Sequence, residues 1–397
     1  IILESENIMK DVEYGKRNRI LLYIYEFIST MILFYIVDTL FYLERGISSS
    51  AYMFFVVVMY ITKLIFEIPS GILADKYGKK KILLISQIMF IISTIIFIFA
   101  YNYTVFIIAI IIASLQKCFS TGIVNSFLYE SLKEKEKFNK VLFIKNTMYC
   151  ISYMIAMLLG GYLGEKYGLI IDYYVTLIPL ILGLIIICFI KDTINNKESN
   201  TKRKIDILRN GITEIKNNKF IKNIIFINAT MLVIIKLVEE SHPEYSIRIG
   251  LTESQIGIYT ALILVFCIIG EYFGTKLNGE KKYVFIILNP IFVGISILLL
   301  GYLNSKTGII FLLTLYIFSE SFNNIIFTEI HNNISSKSRV TIESIISLLE
   351  SIIGIILGII NSICLSFVSV YQSYIILGII LICYSIKNSI KIKYKVM

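Results

Sequence analysis

Seven ionisable side chains stand well inside long apolar runs of this sequence: Glu26, Asp38, Lys63, Lys117, Lys236, Glu320 and Glu350. A charge near the centre of a bilayer costs ~3 kcal/mol, so seven facing lipid would cost roughly 20 kcal/mol. They are therefore expected to face a polar cavity or one another, and four acids against three bases suit mutual pairing. The chemistry this offers is proton transfer. Burial favours the neutral form of a carboxylic acid and a neighbouring lysine favours the charged form, so a small movement can load or release a proton. Glu320 and Glu26 are the leading proton carriers on this reading, with Asp38 next; Asp38 also suits a helix-end role. Lys117 and Glu320 admit a second reading, a structural pair that only fixes helix packing.

Two polar stripes give these charges a direction. Ser114, Lys117, Thr121 and Asn125 share one helical face, and Tyr316, Ser319, Glu320 and Asn323 share another. At a rise of ~1.5 Å per residue, Glu320 lies within ~2 Å of the centre of its run, Lys117 and Glu350 at ~3 Å, and Lys236 and Lys63 at ~5 Å. Glu26 lies ~8 Å toward the inner side and Asp38 ~10 Å toward the outer. Glu239 and Glu240, beside His242-Pro243, are expected to be solvated at the outer mouth.

Other chemistries find no support in the residue types. The two histidines, His242 and His331, are far apart, and the six cysteines (Cys118, Cys150, Cys188, Cys267, Cys364, Cys383) sit in apolar runs without a C-x-x-C spacing. Neither a metal site nor a disulfide framework is expected. No nucleophile and base stand together and no G-x-x-x-x-G-K-[ST] loop occurs, so an enzyme and an ATP-driven pump are both disfavoured.

The elements that position the charges follow from composition. The chain has 397 residues, 56 % apolar and 17 % charged, with a mean hydropathy of +0.77, whereas soluble domains carry ~25 % charged residues. Apolar runs predict an all-α membrane protein of twelve spans near 20–42, 50–70, 82–101, 104–126, 141–164, 171–190, 222–244, 254–275, 283–303, 308–330, 341–363 and 370–390. Thirty Lys and Arg residues fall in the loops of one side and four in those of the other, which puts both termini in the cytoplasm. The net charge of +10 thus faces anionic headgroups and cytoplasm, and nucleic acid is not an expected partner. With no Trp, the 27 Tyr must supply interfacial anchoring, as Tyr101 and Tyr103 do at one outer turn. The first residues lack the apolar core of a cleavable signal, and Met9 offers an initiator.

Polar stretches then divide the chain into a cytoplasmic tail (1–19), a six-helix bundle (20–190), a cytoplasmic linker (191–221), a second six-helix bundle (222–390) and a tail (391–397). Within the linker, Ile205 to Ile215 is apolar at helical spacing and reads equally as a helix on the membrane surface or as a solvated connection. The halves repeat at an offset of about 204 residues. Gly46-Ile47-Ser48-Ser49-Ser50 precedes one span and Gly250-Leu251-Thr252-Glu253-Ser254 its counterpart, each a glycine turn followed by capping hydroxyls. Gly71 to Lys80 ends one span, and Gly274 to Lys282 is a shortened copy at the end of the other. Parallel repeats mark transporters that rock about a site between their halves.

The segment Glu67-Ile68-Pro69-Ser70-Gly71-Ile72-Leu73-Ala74-Asp75-Lys76-Tyr77-Gly78-Lys79-Lys80 closely resembles the signature loop of the major facilitator superfamily, between its second and third spans. Ser120-Thr121-Gly122 with Leu128-Tyr129-Glu130-Ser131-Leu132 resembles the end of span 4 in bacterial drug-efflux-like members. Arg339-Val340-Thr341 with Ser344 is similar to their entry into span 11. The resemblance implies two pseudo-symmetric six-helix bundles, with spans 1, 4, 7 and 10 lining a cavity. It also implies a cytoplasmic latch built from Gly71, Asp75, Lys76, Gly78, Lys79 and Lys80, in which the acid meets a neighbouring helix end and a basic residue. On the residues alone, Gly71 would let its span approach a neighbour closely and Gly78 would permit a tight turn; the alternative to a latch is that the loop is only a positive-inside topology signal.

Two departures weaken an antiport assignment. Ser152, Ala156, Met157, Gly160 and Gly161 stand where antiporters carry G-x-x-x-G-P-x-x-G-G, so with Gly164 the small packing residues persist without the proline. Lys117 stands five residues before Gly122, where the family often has Arg four before Gly. The expected function is a monomeric secondary transporter of the plasma membrane, using the proton gradient and no cofactor, that exports small amphipathic, drug-like compounds. The cavity would be lined by Glu26, Asp38, Lys117, Thr121, Lys236, Glu320, Asn323 and Glu350. Proton-coupled uptake of a small polar nutrient, with the central lysines binding it directly, is the alternative; a sensor that no longer transports is a third.

Overall fold

A computed structural model describes residues 2–132, 138–191, 213, 215–216, 218–277, 279–333 and 339–396, and every regular element among them is helical. In chain order these are α1 (Ile2–Ser29), α2 (Asp38–Glu44), α3 (Ser49–Tyr77), α4 (Lys79–Ile98), α5 (Tyr103–Ser120), α6 (Ile123–Glu130), α7 (Phe138–Tyr167) and α8 (Ile170–Phe189). After the linker come α9 (Lys219–Arg248), α10 (Glu253–Lys276), α11 (Gly279–Leu303), α12 (Ile309–Asn333), α13 (Arg339–Leu365) and α14 (Val370–Val396). Among the described residues, eleven segments are long and apolar enough to cross a membrane. The linker stretch 205–215 lies outside the described residues except for Thr213 and Ile215.

The twelfth expected span, 20–42, is not one continuous helix. α1 stops at Ser29, a single 3-10 turn covers Leu33–Ile36, and α2 restarts at Asp38. No glycine or proline causes the break. Thr30 Oγ1 donates to the Glu26 carbonyl at 2.6 Å, a local competition typical of hydroxyl residues, and Ile32 turns extended. The backbone groups so released find partners on other helices: Leu33 N–H donates to Thr176 Oγ1 at 3.0 Å, and Ser152 Oγ donates to the Phe27 carbonyl. In a membrane such groups must be met internally, so α7 and α8 make the break possible.

The span expected at 104–126 is also divided. Gly122 adopts φ +76°, a left-handed conformation that disfavours a side chain, and separates α5 from α6. Asn125 therefore leaves the face formed by Ser114, Lys117 and Thr121, and the four-residue stripe does not hold.

The chain divides into a unit of residues 1–41 and 65–199 and a unit of residues 42–64 and 200–397. Residues 42–64, placed by sequence in the first bundle, are thus grouped with the second unit. In the first unit an apolar core joins Leu22 and Tyr25 of α1 to Leu83 of α4, Phe127 of α6 and Ile187 of α8. Gln87 ties three helices together by accepting from Tyr25 OH (3.0 Å) and donating to the Leu180 carbonyl (2.8 Å). The second unit is built around α9, whose most apolar window is 72 % buried, against 22 % for α7. Glycines set its closest contacts. Gly270 and Gly274 of α10 pack on Ile317 and Ser321 of α12, and Ser321 Oγ donates to the Gly270 carbonyl at 2.8 Å.

Candidate functional site

The intramembrane charges are gathered into separate clusters within each unit. In the first, Glu26, 7 % exposed, pairs with Lys145 of α7 at 3.2 Å. Lys145 was not singled out from sequence, although it lies in the predicted span 141–164. Asp38 occupies the first position of α2, where its carboxylate accepts from Thr39 N–H at 2.6 Å, the helix-end arrangement. Lys117 is exposed near the end of α5, and Thr121 Oγ1 donates to its carbonyl at 2.6 Å.

Gly160 and Gly164 lie where α7 meets the broken segment. A methyl on Gly160 would run into the Leu33 carbonyl, and one on Gly164 would come 3.0 Å from Asp172 Oδ2; Gly161 between them is buried. At the signature loop, Gly78 takes φ +91° and opens α4. Lys79 pairs with Glu130 and donates to Ser126 Oγ at 2.5 Å, Lys80 donates to the Cys188 carbonyl at 2.8 Å, and Lys76 lies 5.1 Å over the Tyr77 ring. The Asp75 side chain lies outside the described residues. Gly71 does not make the close approach expected of it, because a methyl there would meet nothing within 4 Å.

The second unit holds the richer constellation. Lys236 is bracketed on its own helix by Glu239 at 3.2 Å and Glu240 at 2.8 Å. These acids are therefore not simply solvated at a mouth: they neutralise the lysine, with Glu240 only 18 % exposed. Glu244, one turn on and fully enclosed, accepts from Ser49 Oγ and Tyr52 OH at 2.8 Å and from Arg248 at 2.7 Å. The spacing Glu244-x-x-x-Arg248 was the only sequence signal for this hub. His242 is buried against the Tyr259 hydroxyl at 2.7 Å, while the His331 side chain is outside the described residues. No cluster of three or more His, Cys, Asp or Glu suited to a metal occurs among the described residues.

Between α9, α12 and α13 lies a cavity of about 230 Å³. Asn228, Asn323, Ser347 and Glu350 are its polar lining, and Leu232, Ile326, Phe327, Ile330 and Ile346 its apolar wall. Glu350 is approached by Lys63 at 3.8 Å. Asn228 is 5 % exposed, and its Oδ1 accepts no hydrogen bond from the described residues. Glu320 sits one helical turn from Asn323 and near Glu271 of α10. Asn228 and Ser347 went unnoticed in the sequence because an isolated Asn or Ser in an apolar run carries no spacing signal.

The profile described as Major Facilitator Superfamily matches residues 20–359. An uncharacterized MFS-type transporter of Methanocaldococcus jannaschii is 24 % identical over 61 % of this chain and 62 % of that protein. An uncharacterized transporter of Buchnera aphidicola from Acyrthosiphon pisum is 23 % identical over 75 % and 76 %. The chain thus spans about three fifths of the archaeal relative's length and three quarters of the bacterial one's. Among solved structures, a mutant of the nucleoside transporter NupG superposes with a TM-score of 0.77 at 12 % identity, covering 95 % of this chain and 99 % of that one. A D-xylose-proton symporter gives 0.69 at 13 % identity, covering 95 % and 97 %. At such identities the likeness concerns the fold.

Proposed function

The chain belongs to the major facilitator superfamily, and on that premise we propose that this membrane transporter couples proton entry to export of small amphipathic compounds by alternating access. The cavity in the second unit carries the reading: an acidic and amide-lined floor beside an aliphatic and aromatic wall suits a ligand with one polar end and an apolar body. Glu26 with Lys145 in the first unit is the proton-handling pair, because a buried carboxylate paired with a lysine changes state when that lysine moves. Glu320 is a second carrier.

Uptake of a polar nutrient bound by the central lysines is the weaker reading. Lys236 is already held by two glutamates, which leaves that ammonium group committed. The protein works as a monomer in the plasma membrane, with both termini cytoplasmic and the proton gradient as its energy source. The Lys76–Lys80 loop latches the cytoplasmic side, and Asp75→Asn abolishes transport while leaving insertion intact. Everted vesicles test the direction: small amphipathic probes accumulate inside and an uncoupler collapses the accumulation. Accumulation by intact cells instead would establish uptake, and no flux in either system would leave a sensor.

A further inference from the structure

Among the described residues of the first unit, Asp172 is the most deeply enclosed carboxyl: it is 0 % exposed, against 7 % for Glu26. Neither Oδ1 nor Oδ2 meets a hydrogen-bond partner, and no cation pairs with them, among the described residues. The carboxyl rests on α7 and on the break between α1 and α2. A methyl on Gly164 would stand 3.0 Å from Oδ2, and Leu169 and Val37 close round the same spot at 3.4 Å. One turn along α8, Thr176 Oγ1 donates to the Asp172 carbonyl at 2.6 Å and accepts from Leu33 N–H at 3.0 Å, so the break is tied to the turn that carries the acid. The titratable groups on the elements packed against this turn are engaged elsewhere or exposed. Glu26 of α1 pairs with Lys145 of α7, Tyr25 donates to Gln87, and Asp38 caps the start of α2. At the end of α7, Lys166 donates to Tyr162, and Glu165 and Tyr167 are exposed, as is Tyr35 in the break. α4 carries no titratable residue after Lys81, and Tyr173, next on α8, stacks its ring on Phe34 at 4.4 Å.

An ionised carboxylate in this place lacks both water and a countercharge, a far costlier state than the neutral acid. We propose that Asp172 is a proton-binding residue of the transport cycle, held as the neutral acid beneath the broken segment and brought to water when Leu33–Val37 lifts from α8. On lifting, the carboxyl O–H bond breaks, its proton passes to water, and the carboxylate left behind is hydrated. The segment closes again only over the neutral form, so a proton must first be taken back. Proton occupancy is thereby linked to the position of the segment between α1 and α2 without any ion pair. Glu26 differs, because it keeps Lys145 as a countercharge. With both termini cytoplasmic, the Gly168 turn that leads into α8 faces outside, so Asp172 exchanges its proton with the outer water. The inference rests on reading this chain as a proton-coupled transporter.

The test uses the full chain in nanodiscs with isotope-labelled aspartate, where infrared spectra read protonated carboxyls directly. At neutral pH the parent shows a neutral-carboxyl band that Asp172→Asn removes and Asp38→Asn leaves. The band exchanges slowly in heavy water. It exchanges at least tenfold faster in Thr176→Val, which unties Leu33 from α8, and in Val37→Ala, which thins the cover without touching a hydrogen bond. Asp172→Asn unfolds at the parent's temperature, because the carboxyl gives up no partner, and in proteoliposomes it moves at least twofold fewer protons per compound exported. Absence of the band overturns the proposal, as does exchange at the parent's rate in both cover variants or an unchanged proton count in Asp172→Asn. A lowered unfolding temperature or failure to fold in Asp172→Asn also overturns it, by showing an ionised carboxylate that anchors the start of α8. The band with its exchange pattern, but no uncoupler-sensitive accumulation of amphipathic probes in everted vesicles, sinks the export reading and leaves the proton site; accumulation without the band does the reverse.

Discussion

The two units solve the same problem differently at their first long segment. In the first, the passage from α1 to α2 is broken, and its freed backbone groups are met by Ser152 and Thr176. In the second, α9 runs unbroken from Lys219 to Arg248 even though it contains Pro243. Its charged residues Lys236, Glu239, Glu240, Glu244 and Arg248 are instead paired with one another along the helix. A helix with a built-in breaker stays whole, and one without a breaker divides. Tertiary partners for the backbone, rather than local propensity, decide the outcome.

Other features are shared. Each repeat has a glycine turn of positive φ (Gly46 at +80°, Gly250 at +82°) followed by a hydroxyl cap: Ser48 Oγ accepts from Ala51 N–H at 3.3 Å and Thr252 Oγ1 from Gln255 N–H at 3.4 Å. Each unit also pins a lysine near the start of one helix to a glutamate near the end of a later one, Lys79 of α4 to Glu130 of α6 and Lys282 of α11 to Glu329 of α12. The glycines Gly71 and Gly274, equivalent in sequence, part company. Gly274 packs on Ser321, and Gly71 faces open space.

The largest effect expected from breaking this comparison is at Glu244. Glu244→Ala leaves the buried Tyr52 hydroxyl and the Ser49 hydroxyl without their shared acceptor, at about 1–3 kcal/mol each, and releases the half-exposed Arg248 to solvent, read as a fall in the denaturation midpoint. Thr176→Val leaves the Leu33 N–H without its acceptor and costs about 1–3 kcal/mol in the first unit. Should Thr176→Val prove neutral, the broken segment is not held by α8. The glycine pair sharpens the contrast: Gly274→Ala forces overpacking against Ser321 and loses about 1–3 kcal/mol, whereas Gly71→Ala gains up to about 1 kcal/mol from helix propensity. Equal responses at the two positions would erase the difference between the repeats. The smallest effect belongs to the shared ion pairs, where double-mutant cycles on Lys79/Glu130 and Lys282/Glu329 each give a coupling of about 1 kcal/mol.

How much of this was legible depends on the physics that encodes each feature. Apolar run lengths are dictated by the bilayer, so the spans were readable, as were the turns at Gly46, Gly78 and Gly250, where backbone conformation selects glycine. Charges inside those runs announced Glu26 and Glu350 as residues needing a partner. The partners themselves were not readable. Pairing Glu26 with Lys145 and Glu350 with Lys63 depends on helix rotation and neighbour choice, which a single sequence leaves open. The break after Ser29 was invisible for a similar reason: its support comes from Ser152 and Thr176, over a hundred residues away.

The central claim, that a buried carboxylate of the first unit carries the proton for a transported compound, is tested most directly by reconstitution. Proteoliposomes holding a pH-sensitive dye are challenged with hexylammonium and the corresponding alcohol, in the parent protein and in Glu26→Gln. The account predicts ligand-driven proton movement in the parent and at least a tenfold loss in Glu26→Gln, with ligand binding retained. Undiminished proton movement in Glu26→Gln would contradict it.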